Sequence, residues 1–546
     1  MGESEHEIVV MRPKGLWSIL LAGMLAVTLI LSVTANTAAL AQTVDADVIL
    51  AGGTIYDGTG SEGAIGDLAL KGGKIAAVGE FETAGAARTI DCTGLVVAPG
   101  FIDLHTHSDR PITKPKTRNN LNYLTQGCTT VVTGNCGGGP VDVGELLEQV
   151  DQDGAGTNIV HLVPHGAVRH QMMKNNDRAP TPDELEQMRQ LVDAAMREGA
   201  WGMSTGLIYV PGIFAETEEL IELAKVVASH GGIYVSHIRD EGDHLLEAVE
   251  EAIRIGRQAN LPVHISHFKS CGVPNWGRLG EAVALVEEAR RDGVIVTADQ
   301  YPYIATSTSL VDTLMRATLI PGGREKLFER MDTDPALERA VREVIAGRLN
   351  DTRKVVIASS KKYPQAVGKS LREIASEEGR DVIDLVLEIQ RNGGASVVNF
   401  ALSEEDARYA MTLPWVATAS DGSALFPNAN ACPHPRNFGT FPRKIGHYAL
   451  GENVLSLAQA IRSCSGLPAD ILGLGDRGYL RPGAHADVVV FDPKTFIDQA
   501  TFEKPQQYST GVRYLFIAGQ LALEDGKPSQ ALHGRAIRHL PGTGPS

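Results

Sequence analysis

Apolar runs of strand length alternate with amphipathic stretches of helix length through residues 98–475. This rhythm is typical of a parallel sheet whose strands are joined by crossover helices. Eight such units, with room for insertions, favour an α/β fold of the (β/α)8 TIM-barrel type. The eight apolar runs end at His105, Cys136, His165, Gly206, His237, His267, Tyr303 and Asp421.

The clearest helix of this region begins at Thr181. The stretch Thr181-Pro-Asp-Glu184 supplies an N-cap, a proline in the first turn and the two ends of a capping box. We predict that this helix runs to Gly199. Two further helices are predicted over 218–229 and 243–258.

A ninth apolar run, 354–360, does not fit the eightfold pattern. Its end carries no side chain of a metal-binding type, so we assign it to an insertion at about 304–413. A connection of that length usually has its own secondary structure or serves as a lid or subunit contact.

Short strands of alternating apolar and polar residues, separated by Gly and Asp turns, are predicted in two pieces of the chain, one after residue 41 and one at the C-terminal end. The N-terminal piece spans 42–97, and the C-terminal piece spans 476–546, with its last strand predicted at 534–538. Neither piece is long enough to cover both faces of a sheet. Together they predict one small β-sandwich built from both chain ends, flanking a barrel at 98–475.

The first 41 residues have the pattern of an export signal. A basic flank, Met11–Lys14, precedes an apolar run from Leu16 to Val33, and a small-x-small motif ends at Ala41. The signal at 1–41 therefore predicts export to the periplasm or beyond. The apolar run is long for a signal, so an uncleaved anchor in the inner membrane is the alternative.

Composition narrows the function classes. The hydrophobic fraction of 43% and the charged fraction of 21% are those of a globular protein. A net charge of -16 argues against nucleic acid as a partner, because phosphate binding needs clustered cations. The six cysteines are widely spaced and predict no disulfide framework, although one of them is a candidate ligand.

Two histidines one residue apart, His105 and His107, follow the first apolar run of the barrel pattern. Residues i and i+2 of a strand face the same side, so the two imidazoles project together. Alone, they are more readily explained as unrelated surface or core histidines. Further nitrogen, sulfur and oxygen ligands at other strand ends favour a metal site, and this donor set suits zinc. These further candidates are Cys136, His237, His267 and Asp421.

At these residues the sequence resembles the amidohydrolase superfamily and, within it, the D-aminoacylase (N-acyl-D-amino-acid deacylase) family. The Pro99–Asp109 motif marks only the superfamily, whereas the cysteine motif and the His-Pro-Arg stretch are particular to the family. The other shared motifs are Gly134–Gly137, Ser204–Pro211, Ser236–Arg239, Ser266–Lys269, Asp299–Tyr303, Ala419–Gly422 and His434–Arg443.

The resemblance implies a ligand set. Many relatives bridge two metals with a carboxylated lysine, and this family uses a cysteine there, which corresponds to Cys136. A tightly held zinc would be bound by Cys136, His237 and His267. A weaker second position would be formed by His105, His107 and Asp421. Cys128 lies inside an apolar run and is assigned to the core.

The resemblance also implies roles around the metal. Asp421 would act as the acid/base, accepting a proton from the attacking water and later delivering it to the departing amine. His165 and Arg169 are interpreted as structural support. The residues that would contact the substrate are Lys269, Arg436, Tyr209, Tyr301 and Ser307.

The leading hypothesis is a zinc-dependent hydrolase of small N-acyl-D-amino acids, with the D preference resting on resemblance alone. One alternative keeps the metal site but uses a cyclic amide or a dipeptide. Another is a non-catalytic exported binding protein, which would be expected to lack one or more ligands. The preferred side chain and the oligomeric state stay open. A membrane contact is expected only through an uncleaved N-terminal segment.

Overall fold

The computed structural model describes residues 43–315 and 323–539. No helix within these ranges is long and apolar enough to cross a membrane. The predicted signal or anchor at 1–41 lies outside the described residues.

The strands follow one another along the chain in the order used below. They are β1 (Thr43–Ile55), β2 (Ala64–Lys71), β3 (Lys74–Gly79), β4 (Glu82–Asp91), β5 (Val96–Pro99), β6 (Phe101–Asp103), β7 (Cys128–Thr133), β8 (Asn158–His161), β9 (Val163–Pro164), β10 (Gly202–Gly206), β11 (Ile233–His237), β12 (Val263–Ile265), β13 (Val296–Gln300), β14 (Thr306–Ser309), β15 (Lys354–Ser359), β16 (Ser396–Phe400), β17 (Val416–Thr418), β18 (Val488–Phe491), β19 (Val512–Ile517), β20 (Gln520–Glu524) and β21 (Lys527–Pro528).

The α-helices are numbered in the same way. They are α1 (Leu121–Leu124), α2 (Val143–Asp153), α3 (His165–Met173), α4 (Pro182–Arg197), α5 (Thr217–Ser229), α6 (Leu245–Ala259), α7 (Leu279–Arg291), α8 (Leu310–Leu314), α9 (Gly323–Met331), α10 (Pro335–Asn350), α11 (Leu371–Glu377), α12 (Val382–Arg391), α13 (Glu404–Met411), α14 (Arg436–Pro442), α15 (Leu457–Cys464) and α16 (Gly466–Leu472).

Eight parallel strand segments form the predicted barrel. One parallel sheet has the order β6-β7-β8, and a second has the order β17-β13-β12-β11-β10-β9. A single residue, Leu162, separates β8 from β9, so these two act as one bent strand. A parallel bridge between Thr106 and Gly422 joins the ends of β6 and β17 and closes the ring. The predicted (β/α)8 architecture is confirmed.

Helices α4 to α7 cover the outside of the barrel. Their apolar faces share one buried cluster with the outward side chains of the strands, including Tyr234 and Val263. The predicted capping box of α4 is present, with reciprocal bonds between Thr181 and Glu184. Helices α5 and α6 begin and end within two residues of their predicted bounds.

The stretch between β13 and β17 contains a separate sheet. Its strands pair antiparallel in the order β14-β16-β15, and they carry their own hydrophobic cluster with helices α8 to α12. The ninth apolar run is therefore β15 of this sheet and takes no place in the barrel. Strand β14 brings Ser307 and Thr308 to the mouth of the barrel, where they line the cavities described below.

Strands from both chain ends form the predicted β domain. They share one hydrogen-bonded sheet of nine strands in the described residues, and β5 pairs antiparallel with β18 to connect the two ends. The strand predicted at 534–538 does not join this sheet. Its Gly534 and Ala536 form bridges with Ala155 and Ile159 beside β8 instead. Periodicity predicted an extended segment there but could not identify its pairing partner.

Candidate metal centre

The six predicted ligands lie together at the carboxyl ends of the barrel strands. Strand ends of this kind form the active-site face of a parallel barrel. His105 and His107 follow β6, Cys136 follows β7, His237 ends β11, His267 follows β12 and Asp421 follows β17.

A tight turn after β7 positions Cys136. Gly134 opens this turn with a φ of 79°. A Cβ atom at Gly134 would lie 2.1 Å from the carbonyl oxygen of Leu162, so only glycine fits there. The sequence Gly134-Asn-Cys-Gly137 therefore directs the thiol inward immediately after the strand.

Three of the six candidates have a left-handed backbone. The φ angles are 53° at Cys136, 37° at His267 and 49° at Asp421, and the described residues contain only nine non-glycine positions with positive φ. This conformation costs about 1–2 kcal/mol per residue. Such strain concentrates at functional sites, where surrounding contacts hold a side chain in a required direction.

The thiol of Cys136 lies at the middle of the cluster. Its Sγ is 3.2 Å from His105 Nε2, 3.6 Å from His237 Nδ1 and 3.9 Å from His267 Nε2. Cys136 belongs to two of the three ligand triplets whose donor atoms all lie within 4.8 Å of one another. One triplet is Cys136, His237 and His267, which is the predicted tight site.

The predicted second position overlaps with the first. Asp421 Oδ1 lies 3.0 Å from His107 Nε2 and 3.6 Å from His105 Nε2. The remaining triplets are His105 with His107 and Cys136, and His105 with His267 and Asp421. His105, His107 and Asp421, the predicted second position, are neighbours but are not together one of the three triplets.

The donor set fits zinc. One thiol, four imidazoles and one carboxylate are ligand types that zinc prefers. Burial, together with the nearby Asp421 and Glu241, raises the pKa of the Cys136 thiol well above its usual range. A cation among these donors would reverse that effect, because a coordinated thiol is deprotonated.

Two buried carboxyl groups support His105 and His267. Asp299 accepts a hydrogen bond from the backbone N–H of His267 at 2.7 Å, and its other oxygen lies 3.4 Å from His105 Nδ1. Burial alone would raise the pKa of Asp299, but His105 holds it well below its usual range. Asp103 accepts from the backbone N–H groups of His105 and Ser420, and burial raises its pKa to about 7. Contacts of this kind orient ligands.

Lys269 does not stand free in the site as a substrate cation. Its Nζ lies 2.5 Å from Glu241 Oε1 and 2.8 Å from His267 Nδ1. Glu241 in turn lies 2.8 Å from His267 Nδ1. Burial alone would lower the pKa of Lys269, but Glu241 raises it above its ordinary value. Lys269 is therefore charged, and it already forms an ion pair with Glu241.

Arg436 is also paired, with the candidate acid/base. Its NH1 lies 2.8 Å from Asp421 Oδ2, and its NH2 donates to the carbonyl of Ser307 at 3.2 Å. The guanidinium lies 4.8 Å from the centre of the Tyr301 ring. Burial alone would raise the pKa of Asp421, but Arg436 and His105 hold it well below its usual range. Asp421 is therefore ionised at neutral pH.

Four of the five predicted substrate contacts line one cavity of about 100 Å³, which we call the narrow cavity. Tyr301 is buried, and its hydroxyl has no hydrogen-bond partner in the described residues. Arg436 lies outside the lining, against Asp421. The cavity is lined by Tyr209, Lys269, Tyr301 and Ser307, together with the ligand candidates His237, His267 and Asp421.

His165 and Arg169 lie apart from the cluster. Both are fully buried and bind the carboxylate of Glu219, with His165 Nε2 at 2.8 Å from Oε1. This ion pair joins α3 to α5. The predicted supporting role agrees with these contacts.

Sequence reasoning assigned no role to Asp103, Asp299 or Glu241. Asp103 lies two residues before His105, so strand alternation places both on one face. Glu241 follows His237 by four residues, and Asp299 is the penultimate residue of β13. The positions of these three residues near ligand candidates or strand ends are visible in the sequence. Acidic residues are common at turns and strand ends, however, so only the contacts in the fold identify these three.

Comparison with known proteins agrees with this geometry. The sequence profile of the amidohydrolase family matches residues 88–302 and 395–522. A D-aminoacylase from Alcaligenes xylosoxydans xylosoxydans is 37% identical over 498 residues, covering 87% of this chain and 93% of that protein.

Two solved structures are similar over most of the chain. A D-aminoacylase structure concerned with a binuclear metal centre gives a TM-score of 0.78 at 35% identity, covering 90% of this chain and 99% of that one. N-acyl-D-glutamate deacylase from Bordetella bronchiseptica, in complex with zinc and a phosphonate inhibitor, gives 0.76 at 33% identity, covering 90% and 100%. The chain belongs to the amidohydrolase superfamily and, within it, to the D-aminoacylase family.

Proposed function

We propose that this protein is a zinc-dependent hydrolase that cleaves the amide bond of N-acyl-D-amino acids to a carboxylate and a D-amino acid. The observation that carries the proposal is the convergence of all six ligand candidates in three overlapping triplets at the carboxyl ends of the barrel strands. The names of the related D-aminoacylase and N-acyl-D-glutamate deacylase support the substrate class.

Cys136, His237 and His267 would hold the tighter zinc, and His105, His107 and Asp421 would contribute to a second position. The overlapping triplets support two adjacent positions that share ligands. Zinc, when bound, supplies a Lewis acid for the amide carbonyl and a cation that promotes ionisation of water.

Asp421 is suited to move the proton. Its carboxylate is ionised, and the contacts with Arg436 and His107 fix its orientation on both oxygens. From this position it would accept a proton from the attacking water and deliver it to the amine as the C–N bond breaks.

The substrate carboxylate would lie in the narrow cavity. The unpartnered hydroxyl of Tyr301 is a free donor there, and the ammonium of Lys269, which is paired with Glu241, lines the same cavity. Hydrogen bonds from charged donors to carboxylates are stronger than neutral ones. Tyr209 and Ser307 would complete the contacts, and Arg436 would act chiefly through Asp421.

The purified protein, supplied with zinc, is expected to release amine from N-acetyl-D-amino acids and not from the matched L forms. The measurement is amine release from paired D and L substrates across several side chains. Equal turnover of both forms would contradict the D preference. If neither form reacts while zinc is bound, the substrate assignment is wrong.

Asp421→Asn is expected to lower kcat by about 10²–10⁴-fold, because a general acid–base group is lost. Zinc content should stay at one equivalent or more, since the tight triplet is intact. Asp351→Asn is the matched control, because Asp351 lines the same cavity but belongs to none of the ligand triplets. Full activity of Asp421→Asn would remove Asp421 from the acid/base role.

Cys136→Ala is expected to lower the zinc content of the protein, because a thiolate ligand shared by two triplets is lost. Elemental analysis of the dialysed protein measures the change. Cys128→Ala is the control, since Cys128 is buried in the core on the preceding strand. Unchanged zinc in Cys136→Ala would contradict the ligand assignment.

We also propose that the protein is exported, on the strength of the basic flank, the apolar run and the small-x-small motif before residue 42. Expression of the full chain in a bacterium should give periplasmic or secreted protein that begins at Gln42. N-terminal sequencing and cell fractionation measure this. An intact N-terminus in the membrane fraction would indicate the anchor instead, and intact cytoplasmic protein would contradict export.

A further inference from the structure

A second cavity adjoins the ligand cluster and shares Tyr209, Ser307, Thr308 and Asp421 with the narrow cavity. Its volume is about 990 Å³, against about 100 Å³ for the narrow cavity, and we call it the wide cavity. Its lining includes Cys136, His107 and Asp421, so it reaches the same reacting centre. Lys269 and Tyr301 line the narrow cavity and not the wide one.

The two halves of the proposed substrate can be assigned to different cavities. If the amino-acid half lies with Lys269 and Tyr301, as the proposed function has it, the acyl half extends from the scissile amide into the wide cavity. This assignment rests on the proposed function. The difference in volume indicates that the space for the acyl group is much larger than an acetyl group requires.

Glycines form part of the wall of the wide cavity. Gly137, Gly138 and Gly139 follow the ligand Cys136 directly and all line it. Gly138 has an extended backbone with a φ of -112°. A Cβ atom there would contact only the carbonyl oxygen of Asn135, at 3.9 Å. A side chain at this position would therefore fit without backbone strain and occupy space that the glycine leaves open.

The wide cavity also carries unpaired positive charge. Arg110 and Lys174 line it, and both are exposed. Neither side chain makes an ion pair or a hydrogen bond within 43–315 and 323–539. The only acidic residue in the lining is Asp421, which Arg436 already pairs. This local charge is opposite in sign to the net charge of -16 of the whole chain.

We propose that the wide cavity is a subsite for an acyl group that is longer than acetyl and ends in a carboxylate. N-succinyl-D-amino acids have this chemistry. The acyl chain would pass the glycine wall, and its terminal carboxylate would lie near Arg110 and Lys174. Two exposed cations favour an anion by about two- to tenfold.

The experiment compares kcat/KM for the N-succinyl, N-butanoyl and N-acetyl derivatives of one D-amino acid. Succinyl and butanoyl chains have equal length and differ in terminal charge. We expect the wild type to prefer the succinyl over the butanoyl derivative by about two- to tenfold at low ionic strength, and to lose this preference in high salt.

The double variant Arg110→Gln/Lys174→Gln should abolish the preference for succinyl over butanoyl. Arg257→Gln/Lys326→Gln is the matched control, because it removes the same charge from exposed residues outside both cavities. That variant should keep the wild-type ratio. Equal loss in both double variants, or a wild type that prefers butanoyl, would overturn the assignment of the two cations.

Gly138→Leu tests the steric part separately. It should lower the ratios of both longer derivatives to N-acetyl, while the zinc content stays the same. Unchanged ratios would show that the acyl group does not enter this cavity. Turnover of the N-acetyl but not the N-succinyl derivative by the wild type would overturn the subsite alone. Turnover of none of the three would overturn the proposed function, and the subsite with it.

Discussion

Closure of the barrel between its first and last strands is the constraint on which the site depends. The bridge from Thr106 to Gly422 brings the ends of β6 and β17 together, and the buried carboxyl of Asp103 binds the backbone of both segments. His105 and Asp421, more than 300 residues apart in sequence, become neighbours only through this contact. Loss of the closure would separate Asp421, the proposed acid/base, from the histidines.

The same framework has to stabilise strained backbone at three of the candidate ligands. Cys136, His267 and Asp421 have positive φ angles, which cost energy because none of the three is glycine. Asp299 fixes the backbone N–H of His267, and Gly134 allows the turn before Cys136. Rigid strands and buried hydrogen bonds thus stabilise side-chain directions that an isolated loop would not keep.

The sequence was sufficient for the barrel and for the ligand candidates, because both follow from local periodicity and strand ends. It was insufficient to predict which residues form ion pairs and which strands pair. Glu241 forms an ion pair with Lys269, and Arg436 forms one with Asp421, through contacts that no spacing rule specifies. The segment at 534–538 shows the same limit, since its extended pattern was evident but its partner beside β8 was not.

Strand β14 belongs to the separate sheet between β13 and β17, yet Ser307 and Thr308 line both cavities. One wall thus borders both the amino-acid half and the acyl half of the proposed substrate. Selectivity for the two halves is therefore not independently adjustable at this wall. A change in β14 that enlarges one cavity also reshapes the other. Sequence divergence in the inserted sheet would therefore alter selectivity for the amino-acid half and for the acyl half together, while the candidate metal ligands stay unchanged.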